Sequence, residues 1–456
     1  MYYRAIGMLC PALALVCGAA LAQERPQSIT DLLGVCNDAL QFNAGHRAAR
    51  AQYEATRALV AQARGKLLPQ LGLRGQYDWL HESIEGDYYG VVDIDRDDGF
   101  ERGVYGAQLQ QALYRPELTL GSTQADLRLQ QATQLLRGEQ DALLMHVVEA
   151  YFGVLAAEDA VAFARAESTA VGEQLDQIRA RAASGLATEA EVKAALAEHE
   201  LAIAAEAEAL DGVANATTRL EALTGRRYGR IRQLPRDLRL APPQPADESA
   251  WITRAERTNA RVQAQRLAVE IAGLEHDKAR KLSWPTLDLV GAAYMLDASG
   301  GISGERDETQ ERVGVVLNLP LYSGGQISAT KRQTLALQAS AQALLDETLA
   351  HAERDVRIAY RNSSAGLLRV NALKRAVDAA IAAEAATRAG FDAGTRSNAE
   401  VLEAVERRFA AERDHAGARY KFLINALRLK QLSGNLLVAD LAQINRMLQA
   451  PPATAH

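Results

Sequence analysis

From about Leu118 to Ala183, and again from about Gln326 to Ala393, the chain runs without a proline while apolar residues recur at helical spacing. At a rise of 1.5 Å per residue, a run of about 65 residues makes a rod of roughly 100 Å, several times the length of a helix in an ordinary globule. No single compact core can hold two such rods, so the fold is expected to be elongated. Composition agrees, because aromatic residues are only 5% of the 456 while Ala, Glu, Arg, Leu and Gln dominate the middle of the chain. Such a mixture suits long helices packing through small side chains. The net charge of −6 offers no basic surface and argues against nucleic acid as a partner.

Each rod ends at a glycine, Gly185 or Gly394, and the stretches that follow are close cousins: "GLATEAEVKAA" (Gly185 to Ala195) and "GTRSNAEVLEA" (Gly394 to Ala404). Glycine suits the left-handed residue that closes a helix. Thr188-x-x-Glu191 and Ser397-x-x-Glu400 then form capping boxes, so both stretches are turns at which a very long helix folds back. Other segments match across the halves as well. "LPQLGLRGQYDW" (Leu68 to Trp79) parallels "WPTLDLVGAAYM" (Trp284 to Met295), and "RLEALTG" ending at Gly225 parallels "RLKQLSG" ending at Gly434. The chain reads as a tandem duplication. The expected organisation is a leader over 1–22, a first repeat over 23–225, a Pro- and Arg-rich linker over 226–249, a second repeat over 250–448 and a disordered tail over 449–456. Returning helices are expected from about Glu189 to Leu223 and Ala399 to Leu432, with partner helices at Ser28 to Leu67 and Glu248 to Leu282.

Between each partner helix and its rod lie two stretches of strand character. Leu71, Leu73, Tyr77 and Trp79 alternate with Gln70, Arg74, Gln76 and Asp78, while Val313, Val315, Leu317, Leu319 and Leu321 hold one face of the fourth stretch. Such alternation fits a soluble sandwich, or a transmembrane barrel with one face to lipid and one to a wet lumen. The acidic segments "HESIEGDYYGVVDIDRDDGFERG" and "DASGGISGERDETQE" are expected to be loops facing the outside. Arg4, the apolar run after it and Ala20-Leu21-Ala22 make an export signal, with Pro11 interrupting any spanning helix. Cys10 and Cys17 would leave with that signal, so Cys36 has no intrachain partner; a lipid anchor at Cys17 is the alternative reading. No later run is long and apolar enough for a spanning helix, so an exported chain that crosses a membrane does so with strands. Four strands cannot close a barrel, and lipid excludes an open edge. Three copies would give twelve strands around an aqueous lumen.

The signal, the duplicated strand-strand-long-helix plan, "LLPQLGL", "ALYRP", "LYSGG", "FDAGTRSNAEVLEA" and "RYKFLINALRLKQLSGNL" together resemble the TolC family of outer-membrane efflux proteins, over essentially the whole mature chain. That resemblance implies a mainly α chain with a membrane β-barrel. Three such chains would make a homotrimeric channel-tunnel, with a twelve-stranded barrel in outer-membrane lipid and a helical barrel crossing the periplasm. It also implies docking to a periplasmic adaptor protein and to an inner-membrane efflux pump or ABC transporter. The duct would serve efflux of small molecules or type I protein secretion. Two departures stand out. Asn43-Ala44 replaces the Asn-Pro common in the first helix, which is expected to alter only a local helix start, and Ala190 stands where relatives can carry a hydrogen-bonding side chain.

In that family the folded-back turns close the tunnel. Matched position by position, Phe391 corresponds to an aromatic, often Tyr, of the closing network, Arg396 to its arginine and Glu191 to an acidic partner on the neighbouring hairpin. Glu400 and Glu403 correspond to the acidic positions ringing the constriction. Independently, Glu400 and Glu403 are three apart and share a helix face. Threefold symmetry would make six carboxylates around an axis, favouring cations and raising their own pKa. Simpler roles exist. Glu191 and Glu400 each hold the third position of a capping box, Phe391 can pack against a neighbouring helix, and Arg396 can be an ordinary surface arginine.

Eight scattered histidines, no His-x-x-x-His pair, no Cys cluster, no phosphate loop and no G-x-S-x-G leave no basis for an enzyme, a metal or a cofactor. An exported helical scaffold or adaptor without a pore is the alternative function, and it has no need of four alternating strands.

Overall fold

The computed structural model describes residues 30–449 apart from 89–91, 236–237, 239 and 302–303. The expected leader and the end of the expected tail lie outside these residues. One element order occurs twice. The first half contains α1 (Leu32–Phe42), α2 (Ala44–Gly65), β1 (Gln70–Tyr88), β2 (Val92–Tyr114), α3 (Pro116–Ala183) and α4 (Glu189–Thr224). The second contains α5 (Glu248–Thr258), α6 (Ala260–Lys281), β3 (Thr286–Ala298), β4 (Arg306–Asn318), α7 (Gln326–Asp392) and α8 (Asn398–Leu432), followed by α9 (Val438–Met447). The rods α3 and α7 are 68 and 67 residues long.

The two partner helices, expected to be continuous, are each broken once, at Asn43 and Asn259. Both asparagines leave the helical region, with ψ of 123° and 124°, and restart the next helix by accepting from its first amides. Asn43 Oδ1 accepts from His46 N at 3.0 Å, and Asn259 Oδ1 from Arg261 N at 2.9 Å. Each amide then reaches across the fold: Asn43 Nδ2 donates to the Leu223 carbonyl at 3.2 Å and Asn259 Nδ2 to Leu432 at 2.7 Å. Those carbonyls are among the orphans at the ends of α4 and α8. One side chain thus caps two helices and ties the partner helix to the returning one. An N-cap needs no proline after it, which is why Ala44 suffices.

The four strands form one antiparallel sheet in the order β1-β2-β3-β4, leaving β1 and β4 as edges. Register sets Leu73 beside Ala107, Ala107 beside Ala293 and Leu289 beside Val315, so the alternation of each strand merges into one apolar face. That face is bare: Leu73 is 87% exposed and Trp79 68%. The first segment expected to be a loop is mostly ladder instead, with pairing continuing from His81↔Gly99 to Tyr88↔Val92. Its tip, residues 89–91, lies outside the described residues. In the second segment Asp297–Ala298 and Arg306–Glu311 are likewise strand. A hairpin solvated on both faces loses the apolar alternation without losing its backbone hydrogen bonds, so composition alone marks it as loop.

Below the sheet, α3 packs against α2, α6, α4 and α8, and α7 packs against α6 and α8. Among the described residues no helix is long and apolar enough to cross a membrane. The largest core lies midway along the rods, where Tyr151 and Phe152 of α3, Leu32 and Val35 of α1, Leu427 of α8 and Leu441 of α9 are buried together. The joining segment contributes Ile231 and Leu234 to that core, and Tyr151 Oη donates to the Arg232 carbonyl at 2.7 Å. Each such aliphatic side chain contributes roughly 1.5–3 kcal/mol. The long hairpins are anchored there, and a smaller cluster of Val171, Ile178, Phe391, Val401, Val405 and Phe409 packs their ends.

Gly434 sits at φ +67°, and a Cβ there would lie 2.2 Å from the Thr258 carbonyl oxygen, whereas Gly185 at φ +71° faces open space. We therefore expect Gly185→Ala to destabilise by about 1–2 kcal/mol, for the left-handed backbone alone, and Gly434→Ala by about 2–5 kcal/mol, since backbone must also move. Thermal unfolding of both variants checks the order, which the geometry requires to be Gly434→Ala below Gly185→Ala.

Candidate functional site

Both folded-back turns close as their sequences require. At the first, Leu186 N donates to the Arg181 carbonyl at 2.8 Å around Gly185. Thr188 N then donates to Glu191 Oε2 at 2.7 Å, while Glu191 N donates to Thr188 Oγ1 at 3.3 Å. At the second, Thr395 N and Arg396 N both donate to the Gly390 carbonyl, at 2.8 and 3.2 Å. Ser397 N donates to Glu400 Oε2 at 2.7 Å and Glu400 N to Ser397 Oγ at 3.3 Å. A Cβ at Gly390 would come within 2.7 Å of Arg396 Cγ, so the arginine side chain would have to move.

The five sequence-selected residues fall into different settings. Glu191 is partly exposed and caps α4; the Thr188 amide, and after it the Thr188 hydroxyl, hold its carboxyl below the usual range. Glu400 has the equivalent cap and in addition accepts from Arg396 Nη1 at 2.5 Å. The Ser397 amide first, then the Arg396 guanidinium and the Ser397 hydroxyl, lower its pKa to about 2. That is opposite in sign to the rise expected from a ring of like charges. The lowering contacts all lie within one chain, whereas the repulsion requires other copies. Glu403 is exposed and paired with Arg407.

Phe391 is buried, 6% exposed, against Val171 and Ile178 of α3 and Val401, Val405 and Phe409 of α8. The Arg181 guanidinium lies 4.3 Å from its ring centroid. A cation–π contact and packing thus serve at a position with no hydroxyl to bond. Arg396 and Glu400 are brought together, while no hydrogen bond or ion pair among the described residues joins Glu191 to Phe391 or Arg396. Glu191 and Glu403 instead line one cleft of about 600 Å³ between α4 and α8.

Two buried polar contacts near the turns were not legible in the sequence. Gln174 of α3, 1% exposed, donates from Nε2 to Asn398 Oδ1 at 2.5 Å, pinning the first turn of α8 to the other hairpin. Further up, buried Glu384 of α7 accepts from Arg388 at 3.0 Å and from Arg408 of α8 at 2.9 Å. Removing one partner from such a buried pair costs about 3–5 kcal/mol. The i,i+4 spacing of Glu384 and Arg388 in an alanine-rich run was a usable signal. Arg408 belongs to the returning helix, and only folding brings it there.

The folded-state pKa of Glu400 lies below the ordinary 4.5. Its contribution to the cap is therefore full above about pH 5 and is lost as pH falls towards 2. Hydrogen exchange at the first turn of α8 should show protection that is constant from neutral pH to about 5 and falls below it. In Glu400→Gln that protection should be weaker throughout and flat with pH. An acid-sensitive turn in the variant would go against the assignment.

The family described as Outer membrane efflux protein matches residues 35–226 and 251–435, one stretch in each half. The outer membrane protein TolC of Vibrio cholerae is 30% identical over 407 residues, covering 88% of this chain and 89% of that protein. TolC of Escherichia coli (strain K12) is 28% identical over 435 residues, covering 93% and 86%. The alkaline protease secretion protein AprF of Pseudomonas aeruginosa is 29% identical over 411 residues, covering 88% and 84%. Among solved structures, the Campylobacter jejuni CmeC outer membrane channel superposes with a TM-score of 0.78 at 16% identity, covering 98% of each chain. CusC superposes at 0.77 with 16% identity, over 91% of this chain and 95% of that one. At such identities the structures establish a shared fold, and the two matched halves establish kinship: the chain belongs to the outer membrane efflux protein family.

Proposed function

We propose that three copies of this outer-membrane protein close a twelve-stranded barrel, β1 of one copy pairing with β4 of the next, and that the helices continue the channel through the periplasm. The observation that carries the reading is the sheet itself. It has four strands, two unpaired edges and one bare apolar face on the same side of all four. In hydrocarbon such edges must find partners, and a second and third copy are the only source of more strands with matching faces. A scaffold without a pore has no use for that face, and kinship with channels argues against it.

The duct carries cargo for efflux or type I secretion and does no chemistry. Energy comes from an inner-membrane efflux pump or ABC transporter joined through a periplasmic adaptor. Relatives named for protease secretion, AprF of Pseudomonas aeruginosa and PrtF of Dickeya chrysanthemi, support the secretion route. BepC of Brucella suis, named an outer membrane efflux protein, supports the other.

At the turns, Glu400 and Glu403 of three copies make the cation-selective constriction, and Glu191, Phe391 and Arg396 supply the contacts that keep it closed. Support comes from the exposure of the carboxylates at the ends of the hairpins. The low pKa of Glu400 supports it too, since that carboxylate stays charged at any physiological pH. Arg396 and Arg407 each lie on one of these carboxylates, so the ring is partly neutralised from within.

Single-channel recording in planar bilayers tests this. Wild-type trimers should give a small cation-selective conductance, blocked by multivalent cations added at the helical side. In Glu400→Gln with Glu403→Gln, selectivity and block should weaken together, the block by about tenfold or more. Correctly assembled trimers that form no channel would sink the duct. Channels indifferent to the double substitution would return both glutamates to capping and solvent.

A further inference from the structure

The sheet meets the helices at a junction whose charge differs from the rest of this acidic chain. Here the first residues after the partner helices are Lys66-Leu67-Leu68-Pro69 and, counting from the last residue of α6, Lys281-Leu282-Ser283-Trp284-Pro285. Both repeats therefore put a lysine and a leucine one short turn before a strand. Several basic groups nearby are already neutralised: Arg64 by Asp126 at 3.0 Å, Lys278 by Glu275 at 2.9 Å and Arg280 by Asp277 at 3.6 Å. Among the described residues Lys66, Lys281, Lys331 and Arg332 have no ion pair. The Lys281 ammonium instead lies 5.2 Å from the Trp284 ring centroid.

The same level carries the end of the bare apolar face. Leu68, Trp284, Leu319, Leu321 and Tyr322 are all exposed here, with Leu321 and Tyr322 almost fully so. The opposite rim of the sheet reverses the sign, since the long β1–β2 hairpin carries Glu82, Glu85, Asp95, Asp97 and Asp98. At this rim the four unpaired basic groups lie directly beside an aromatic and aliphatic belt, whereas within the sheet Arg74 and Arg312 stand singly.

We infer that this junction is a binding surface for anionic phospholipid headgroups of the periplasmic leaflet, with Lys66 and Lys281 contacting the phosphate and Trp284 seated at headgroup depth. The inference rests on the membrane-spanning reading of the sheet. Its physical basis is charge complementarity. A lysine stem lies along apolar surface while its ammonium reaches the polar boundary, where indole and phenol rings also prefer to sit. An anionic bilayer surface attracts basic groups within about a Debye length, roughly 8–10 Å. In a closed trimer the two lysines become six, spaced around the barrel at one depth. Acyl chains would then cover Leu321 and Tyr322, which none of the described residues covers.

The chain's own tryptophans report on this. There are three, Trp79, Trp251 and Trp284; Trp251 is buried, Trp79 lies on the apolar face towards the acidic rim, and Trp284 lies at the junction. Assembled protein would be reconstituted with brominated phosphatidylglycerol or brominated phosphatidylcholine diluted in unbrominated lipid, and the quenching recorded. In Trp79→Phe, where Trp284 is the exposed reporter, phosphatidylglycerol should quench at about tenfold lower mole fraction than phosphatidylcholine. In Trp284→Phe, Trp79 should be quenched by both alike. Adding Lys66→Gln and Lys281→Gln to Trp79→Phe should abolish the preference, and Lys66→Arg with Lys281→Arg should keep it. Equal quenching of Trp284 by the two lipids, or a preference that survives the glutamine pair, overturns the inference while leaving the barrel intact. If neither brominated lipid quenches Trp79, the sheet is not in lipid and the membrane-spanning reading fails with it.

Discussion

A polypeptide that enters hydrocarbon must pair every backbone amide and carbonyl, and the remainder of this architecture follows from how the chain meets that demand with four strands. The β1–β4 sheet is internally satisfied, yet each of its edges presents an unpaired row, and its apolar face has no cover among the described residues. Both defects disappear together when identical sheets join edge to edge. The ring that results is hollow, because twelve strands enclose more space than their inward side chains fill. In the proposed trimer, oligomerisation is therefore part of folding, and a pore is its geometric by-product.

The sheet and the long helices of the chain meet at one junction, and the links between them are polar and few. Arg115, immediately before α3, donates from Nε and Nη2 to the two carboxylate oxygens of buried Asp288 in β3, at 2.8 and 2.6 Å. That bidentate pair crosses from the first repeat to the second at the level where strand becomes rod, and its planar fork fixes orientation as well as distance. Farther down, Asn43 and Asn259 tie each partner helix to the end of a returning helix. Between these points the rods touch mainly through small side chains, so their relative positions are set at a handful of places.

Duplication explains the scaffold and divergence explains the tip. Both repeats keep the closing glycine, the capping box, the asparagine break and the lysine at the junction. Only the second turn adds an arginine to its cap, and only there does a phenylalanine from the rod pack beneath a guanidinium of the other hairpin. Two copies of one hairpin made a frame; changing a few residues in one copy made its end distinct.

Much of this was legible from residues alone because it is written in local signals. Proline-free 3.6-period runs set the rods within a few residues of their observed ends, Thr188-x-x-Glu191 and Ser397-x-x-Glu400 set the turns, and strict alternation set the membrane face. Sequence periodicity failed where the environment on both faces is the same. The β1–β2 hairpin reads as loop because its acidic end lacks the alternation, and the break at Asn259 is hidden because a capping asparagine looks like any polar helix residue, whereas at Asn43 the sequence marks a local helix start. Tertiary structure alone decided which distant groups meet. Nothing local pairs Arg115 with Asp288 or Gln174 with Asn398, which lie 173 and 224 residues apart, or Arg408 with Glu384, which meet only because α8 folds back along α7. Nor could sequence settle the sign of the charge shift at Glu400, which depends on whether Arg396 folds over its own cap or reaches away. A residue's period and its neighbours within a turn act through the backbone next to it, and so are carried by sequence. Contacts between elements depend on the path of the whole chain, and so exist only once that path is complete.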